Sequence, residues 1–195
     1  MTDRKPSSRK RIADAAREEF TRCGFAGARV ARIAGEAGVN KQLIFYYFGS
    51  KAGLYEAVCA SIVDAVDTYT PPAATAGPAT EQLKAAVARL YTSLSERPEL
   101  VSLLYDSGRG PSASRSARRI MTQLARDLEE VVSRGQGLGY FRDDADPELA
   151  AQQVVVLCAG YLGLDRERTQ DPTNPAMHER WPTAVAELLA RGLAW

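Results

Sequence analysis

The stretch VARIAGEAGVNKQLIFYYFGSK, residues 30–51, holds two short helical patterns around one glycine. Val30, Ile33, Ala34 and Ala37 recur at helical spacing, which predicts a helix over about Arg29–Ala37. Gly38 then allows a sharp turn with positive φ. Asn40 is a capping residue for a following helix, Lys41–Phe48, and Gly49 breaks it. Two helices with about three residues between them have helix-turn-helix spacing. In that motif the second helix enters the DNA major groove and the first braces it.

The aromatic run Phe45, Tyr46, Tyr47, Phe48 tests this reading. Successive helical residues point about 100° apart, so four aromatics in a row cannot share one core. Ile44 and Phe48, at i and i+4, match the inward stripe of the preceding helix. Lys41, Gln42, Phe45 and Tyr46 are left on the opposite face. A cation, an amide and two aromatics suit a groove-reading face. Phe45 can touch thymine methyls, Gln42 can pair with adenine, and Lys41 can reach guanine or a phosphate. The hydroxyls of Tyr46 and Tyr47 can donate to phosphates. The competing reading has two aromatics in the core and two over its rim.

Lys51 stands in the first turn of the next helix, where the dipole disfavours a cation. A phosphate bound at that helix N-terminus would explain it; the alternative is a solvated lysine. Arg29 and Arg32, on the first helix of the pair, read equally as DNA contacts or as a solvated face.

Charge supports a basic head. Residues 1–51 carry 11 Lys+Arg against 5 Asp+Glu, and residues 52–195 carry 14 against 19, so +6 is followed by −5. That asymmetry, under a net charge of only +1, fits a polyanion-binding domain on an acidic body.

Outward from the motif the pattern is helical throughout. Ser7 or Ser8 caps a first helix to about Cys23, with Ile12, Ala16 and Phe20 inward. Ser50 caps a long fourth helix to about Tyr69, with Leu54, Val58, Ile62 and Val66 inward. TPPAATAGPAT (70–80) reads as a linker. Further helices are expected over about 80–96, 98–107, 115–134 and 147–164, with a last one opening at Asn174-Pro175. Loops fall at 107–114 and 165–174.

From Val154 to Leu164 (VVVLCAGYLGL) no residue is charged. A helix apolar all round must be buried all round. Two such helices meeting across a twofold axis satisfy this, and a central core helix is the alternative. The dimer reading assigns Val155, Ala159 and Leu162 with Trp181, Val185 and Leu188 of the last helix to the interface.

Other chemistries find no support. Cys23, Cys59 and Cys158 are far apart and His178 is the only histidine, so no metal site and no cofactor is expected. No G-x-S-x-G or P-loop motif occurs, so the chain is not read as an enzyme. No apolar run approaches the ~20 residues that span a bilayer, and no signal peptide is evident; a cytoplasmic protein is expected.

The segment VARIAGEAGVNKQLIFYYFGSKAGLYEAV (30–58) resembles the signature region of TetR-family transcriptional regulators, in register from the IA pair through AGV to the SK pair. EEFTRCGFAGARV (18–30) and GYFRDDADPELAA (139–151) resemble the family more weakly. The resemblance implies an all-α fold. Its N-terminal three-helix helix-turn-helix DNA-binding domain (1–51) joins, through a long fourth helix, a C-terminal helical ligand-binding and dimerisation domain (52–195). It implies base contacts at Lys41, Gln42, Leu43 and Phe45, and phosphate contacts at Tyr46, Tyr47, Lys51 and near Arg29. Gln42, Leu43 and Phe45 depart from the family's usual glycine, small hydroxyl residue and tyrosine. Ala28-Arg29 replaces its usual Ser/Thr cap.

The resemblance further implies a homodimer on a near-palindromic double-stranded DNA operator, acting by default as a repressor and released by a small-molecule effector. Tyr91, Leu94, Tyr105, Met121, Leu124 and Tyr161 are the lining residues to test. The sequence offers no charge signature for that effector, so an apolar or weakly polar molecule is expected. A helix-turn-helix module without an inducer, and an all-α enzyme using the same cavity, are the alternatives.

Overall fold

The computed structural model describes residues 7–67, 77–106, 113–167 and 175–194. These form nine α-helices and no strand: α1 Ser8–Gly27, α2 Val30–Ala37, α3 Lys41–Phe48, α4 Lys51–Asp67, α5 Ala79–Glu96, α6 Pro98–Asp106, α7 Ala113–Gly137, α8 Pro147–Glu167 and α9 Pro175–Leu193. Helix caps form at Ser7, Asn40, Ser50 and Asp146. Ser7 Oγ accepts from Lys10 N, Asn40 Oδ1 from Leu43 N, Ser50 Oγ from Gly53 N, and Asp146 Oδ1 from Glu148 N and Leu149 N. Each satisfies amides that a helix start leaves without intrahelical partners. In α1 the helical geometry is interrupted at Gly24 (φ 63°, ψ 176°), one residue past the expected end.

The chain divides into two compact units, Met1–Ala65 with Pro98–Arg119, and Val66–Arg97 with Ile120–Trp195. This division differs from a cut after residue 51. The start of α4 is built into the first unit, and so is α6. Tyr55 of α4 packs edge-on against Phe20 at 4.8 Å and lies 5.0 Å from Phe25. Arg17 donates to Ser61 Oγ at 3.0 Å, and Ser102 of α6 donates to the Thr21 carbonyl at 2.8 Å. The core of this unit gathers Ile12, Ala16 and Phe20 with Ile33, Ala34, Ile44, Leu54 and Val58, all buried.

In the second unit α5 packs against both α8 and α9. Its stripe Leu83, Val87, Leu90 and Leu94 is buried, as are Val154, Val155, Cys158 and Leu162 of α8. Burial pushes the Cys158 thiol up to about 12, so it remains a neutral, inert core group. The turn after α7 is fixed by Gln136 Nε2, which donates to the Arg142 and Ala145 carbonyls, each at 2.8 Å. The buried ring of Phe141 lies where any Cβ on Gly135 would intrude, 2.2 Å from Phe141 Cδ2.

Candidate functional site

The helix-turn-helix is built by one turn residue and two caps. Gly38 takes the left-handed conformation (φ 62°, ψ 43°) at the end of α2. Val39 N returns to the Ala34 carbonyl at 3.0 Å, and Asn40 starts α3. A side chain rarely adopts that φ, which is why a glycine stands there.

Ile44 anchors α3 in the core with no exposure at all, while Phe45 is 45% and Tyr46 80% exposed. Lys41, Gln42 and Tyr47 are also exposed. Leu43 is only half-buried, on the flank of α3 shared with Tyr47. The rings of Tyr46 and Tyr47 meet edge-on at 5.3 Å, which braces two exposed phenols against each other. Phe48 is half-buried, and the Arg9 guanidinium lies 5.6 Å from its ring centroid. The helix therefore has a dry side and a wet side, and the wet side carries Lys41, Gln42, Phe45 and Tyr46.

Lys51 is held rather than free. Its Nζ donates to the Ala26 carbonyl at 3.4 Å and lies 5.0 Å over the Phe25 ring. The charge thus sits on the connection leading into α2, three residues before Arg29.

The missing cap of α2 is supplied from another helix. Arg29, the exposed N-cap, offers no side-chain bond. Instead the Arg29 amide donates to Glu19 Oε1 of α1 at 3.0 Å. Glu19 Oε2 accepts from Arg22, and Arg32 Nε lies 3.6 Å from Oε1. Glu19 is the buried charged side chain among the described residues, at 2% exposure, roofed by Arg22 and Arg32, which are 55% and 40% exposed. Burial pushes its carboxyl up, but the Arg29 amide and the Arg32 and Arg22 charges outweigh that and hold it below the usual carboxylate range. Sequence reasoning missed Glu19. An acid on an inward-leaning face of α1 beside Phe20, above a helix lacking a cap, was the available signal.

The six sequence-chosen lining residues scatter, five in the second unit and Tyr105 in the first. Leu94 is fully buried core, and Met121 and Leu124 are half-buried. The side chain of Tyr105 lies outside the described residues. Tyr91 Oη and His178 Nδ1 are 2.6 Å apart, and Tyr161 stacks on Trp181 with ring centroids 4.1 Å apart. His178 also meets Tyr161 edge-on at 5.3 Å. This aromatic cluster joins α5, α8 and α9, and the place of His178 in it was not legible from sequence. A cavity of about 70 Å³ lies elsewhere, between α5 and α7. Of the six expected lining residues only Leu124 borders it, alongside Arg89, Arg97, Arg126 and Asp127.

The interface residues need correction. Val155, Ala159, Leu162 and Val185 are buried within their own chain, on the faces of α8 and α9 that pack in this unit, so no partner can cover them. Trp181 is half-buried and occupied by Tyr161. Leu188 alone of the six is well exposed, at 66%. The apolar surface of α8 lies one residue on: Val156 at 55%, then Leu157 and Leu164, with open space over Gly160.

Among the described residues no group of His, Cys, Asp or Glu could hold a metal ion, and no helix is long and apolar enough to cross a membrane.

Residues 12–58 match the family described as bacterial regulatory proteins, tetR family, and residues 80–189 match the tetracyclin repressor-like C-terminal domain. The chain is 28% identical over 203 residues to the HTH-type transcriptional repressor NicS of Pseudomonas putida, covering 95% of this chain and 92% of that one. It is 38% identical over 111 residues to the HTH-type transcriptional repressor SCO4008 of Streptomyces coelicolor, covering 55% and 54%. The fold matches the transcriptional regulator FadR from Bacillus subtilis in complex with stearoyl-CoA, with TM-score 0.62, 19% identity and coverage of 94% and 98%.

Proposed function

This chain belongs to the TetR family of bacterial regulatory proteins, and on that footing we propose that it is an effector-released repressor acting as a homodimer on a near-palindromic operator. The observation that carries the DNA reading is α3 itself. It is an eight-residue helix pinned by Ile44, with Lys41, Gln42, Phe45 and Tyr46 turned to solvent. Gln42 and Lys41 read base edges, and Phe45 packs on thymine methyls. Leu43, on the flank, adds an apolar contact. Tyr46, Tyr47, Lys51 and Arg29 bind phosphates and set the register. Lys51 performs this role from the Ala26 carbonyl, where its charge faces the approach to α2.

Dimerisation uses the exposed stripe of α8, Val156, Leu157, Gly160 and Leu164, with Leu188 of α9. These fall at helical spacing on one face, and a second copy related by a twofold axis covers them. The two recognition helices then address half-sites about one DNA turn apart. The body takes a small-molecule effector, and binding shifts the population toward a form that no longer fits both half-sites. That a fold neighbour was solved in complex with stearoyl-CoA supports a ligand-taking body. Such a regulator works in the cytoplasm, with its DNA.

The test is selection of the purified protein against a random duplex library at near-physiological salt. An inverted repeat is the expected product. Retention only at low salt, with no enriched sequence, sinks the reading.

A further inference from the structure

The gap between α5 and α7 has a charge that the effector reading leaves unexplained. Arg89 and Arg97 face it from α5 and its C-terminal cap, and Arg126 and Asp127 from α7. Three guanidiniums and one carboxylate leave it at +2. Arg89 Nε and Nη2 both donate to Asp127 Oδ2, at 3.0 and 2.7 Å, so that pair is matched and fixed, with both side chains about a quarter exposed or less. Among the described residues, Arg97 and Arg126 have no carboxylate partner. Arg97 is half-buried and Arg126 exposed, so both guanidiniums border the gap with donors open to an oxyanion, which such forks bind through bidentate hydrogen bonds. Ser93 and Gln123 add neutral polar groups, while Leu90 and Leu124 offer an apolar wall.

Size narrows the ligand. At about 70 Å³ the cavity holds roughly two waters' share of space. Sites that enclose a whole drug-sized ligand run to about 300–1,000 Å³. The cavity therefore fits a head group, with the remainder of the molecule along the apolar wall and out of the mouth.

We propose that this cavity binds the oxyanion head, carboxylate or phosphate, of a small amphiphile. The binding claim stands on the cavity, while its consequence for DNA rests on the effector reading above. The chain supplies a route for that consequence. Arg97 is followed directly by Pro98, the first residue of α6, whose Ser102 holds the Thr21 carbonyl of α1. An anion that draws Arg97 pulls on the residue bonded to α6.

The experiment is isothermal titration of the full-length protein with octanoate, octyl phosphate, octan-1-ol and octylammonium. One or both anions bind at one site per chain, and the alcohol and the cation bind at least tenfold more weakly. The stronger anion identifies the head group. Arg97→Gln and Arg126→Gln each weaken the anion at least tenfold while the melting temperature of the free protein holds. Octan-1-ol binding as tightly as octanoate, no binding by either anion, or unchanged affinity in both variants overturns the proposal. Anisotropy of the selected duplex separates the two readings. Arginine-dependent binding without DNA release keeps the anion site and refutes the effector role. DNA release by octan-1-ol, unchanged in both variants, refutes the anion site and keeps the effector role.

Discussion

Replacing Glu19 by Gln tests whether a carboxylate, rather than a fitted shape, holds the start of α2. The amide oxygen of Gln can still accept from the Arg29 amide, now 3.0 Å from Oε1. What disappears is the charge facing Arg22 and Arg32. Both arginines are more than a third exposed, so their attraction is screened, and surface pairs are worth about 0–1 kcal/mol. The 3.6 Å approach of Arg32 is too long for a hydrogen bond and adds little. The bond from Arg29 also weakens from a charged acceptor to a neutral one. Together these give a loss of about 1 kcal/mol for Glu19→Gln. Glu19→Leu also removes the cap, for a total of about 2 kcal/mol. In a chain of this size about 1 kcal/mol lowers the melting temperature by roughly 2–4 °C.

The pH dependence makes the test specific. The folded-state pKa of Glu19 lies below its ordinary value of 4.5. The unfolded state therefore takes up a proton first as pH falls. The stabilisation is fully present above about 4.5 and is lost as pH drops through the lowered folded value. Urea unfolding of wild type and Glu19→Gln should differ most at pH 7 and converge toward pH 3. A gap that stays constant from pH 7 to 3 would refute the charge argument. A variant as stable as wild type at pH 7 would refute the role of Glu19 altogether.

Other expectations follow from separate parts of the molecule. Lys51→Ala should weaken binding to all duplexes and lower the salt slope by about one ion, whereas Gln42→Ala should change the selected sequence; uniform loss in both would remove Gln42 from base readout. Gly135→Ala sets a Cβ 2.2 Å from the buried Phe141 ring and should cost about 1–3 kcal/mol in chemical unfolding. Val156→Glu and Leu188→Glu should yield monomers in light scattering with an intact fold, because both side chains are exposed. Val155→Ala, one residue away and fully buried, should instead lose about 2 kcal/mol of stability.

The head was legible because its signals are local. Gly38 fixes a turn, Asn40 and Ser50 cap the helices that follow them, and Ile44 with its neighbours repeats at 3.6 residues. Each is a statement about residues within four positions of one another. The features missed there are those that cross helices. Glu19 caps a helix whose first residue is 11 positions later, and Lys51 reaches back 25 positions to Ala26. In α1 alone Glu19 is one more acid, and the absent Ser/Thr at α2 registers only as a weakness.

The body shows the same limit more severely. In Val154–Leu164 periodicity is silent, because an all-apolar helix has no polar face to mark which side is out. Choosing 155 and 159 rather than 156 and 160 is a rotation of about 100°, and nothing within the segment decides it. What decides it is the packing of α8 in its unit, where α5 meets both α8 and α9, and which buries Val155 and Leu162. The cavity arginines follow the same rule. Arg89 sits on α5, Arg97 is the cap at its C-terminal end, and Arg126 lies on α7 about 30 residues on. Read along the chain nothing joins them, and with one histidine and scattered carboxylates the sequence carries no charge signature for an effector, hence the expectation of an apolar or weakly polar one. Brought to one gap beside a matched Arg89–Asp127 pair, the remaining two have no carboxylate partner among the described residues. The octanoate titration asks whether an anion takes the place of that partner.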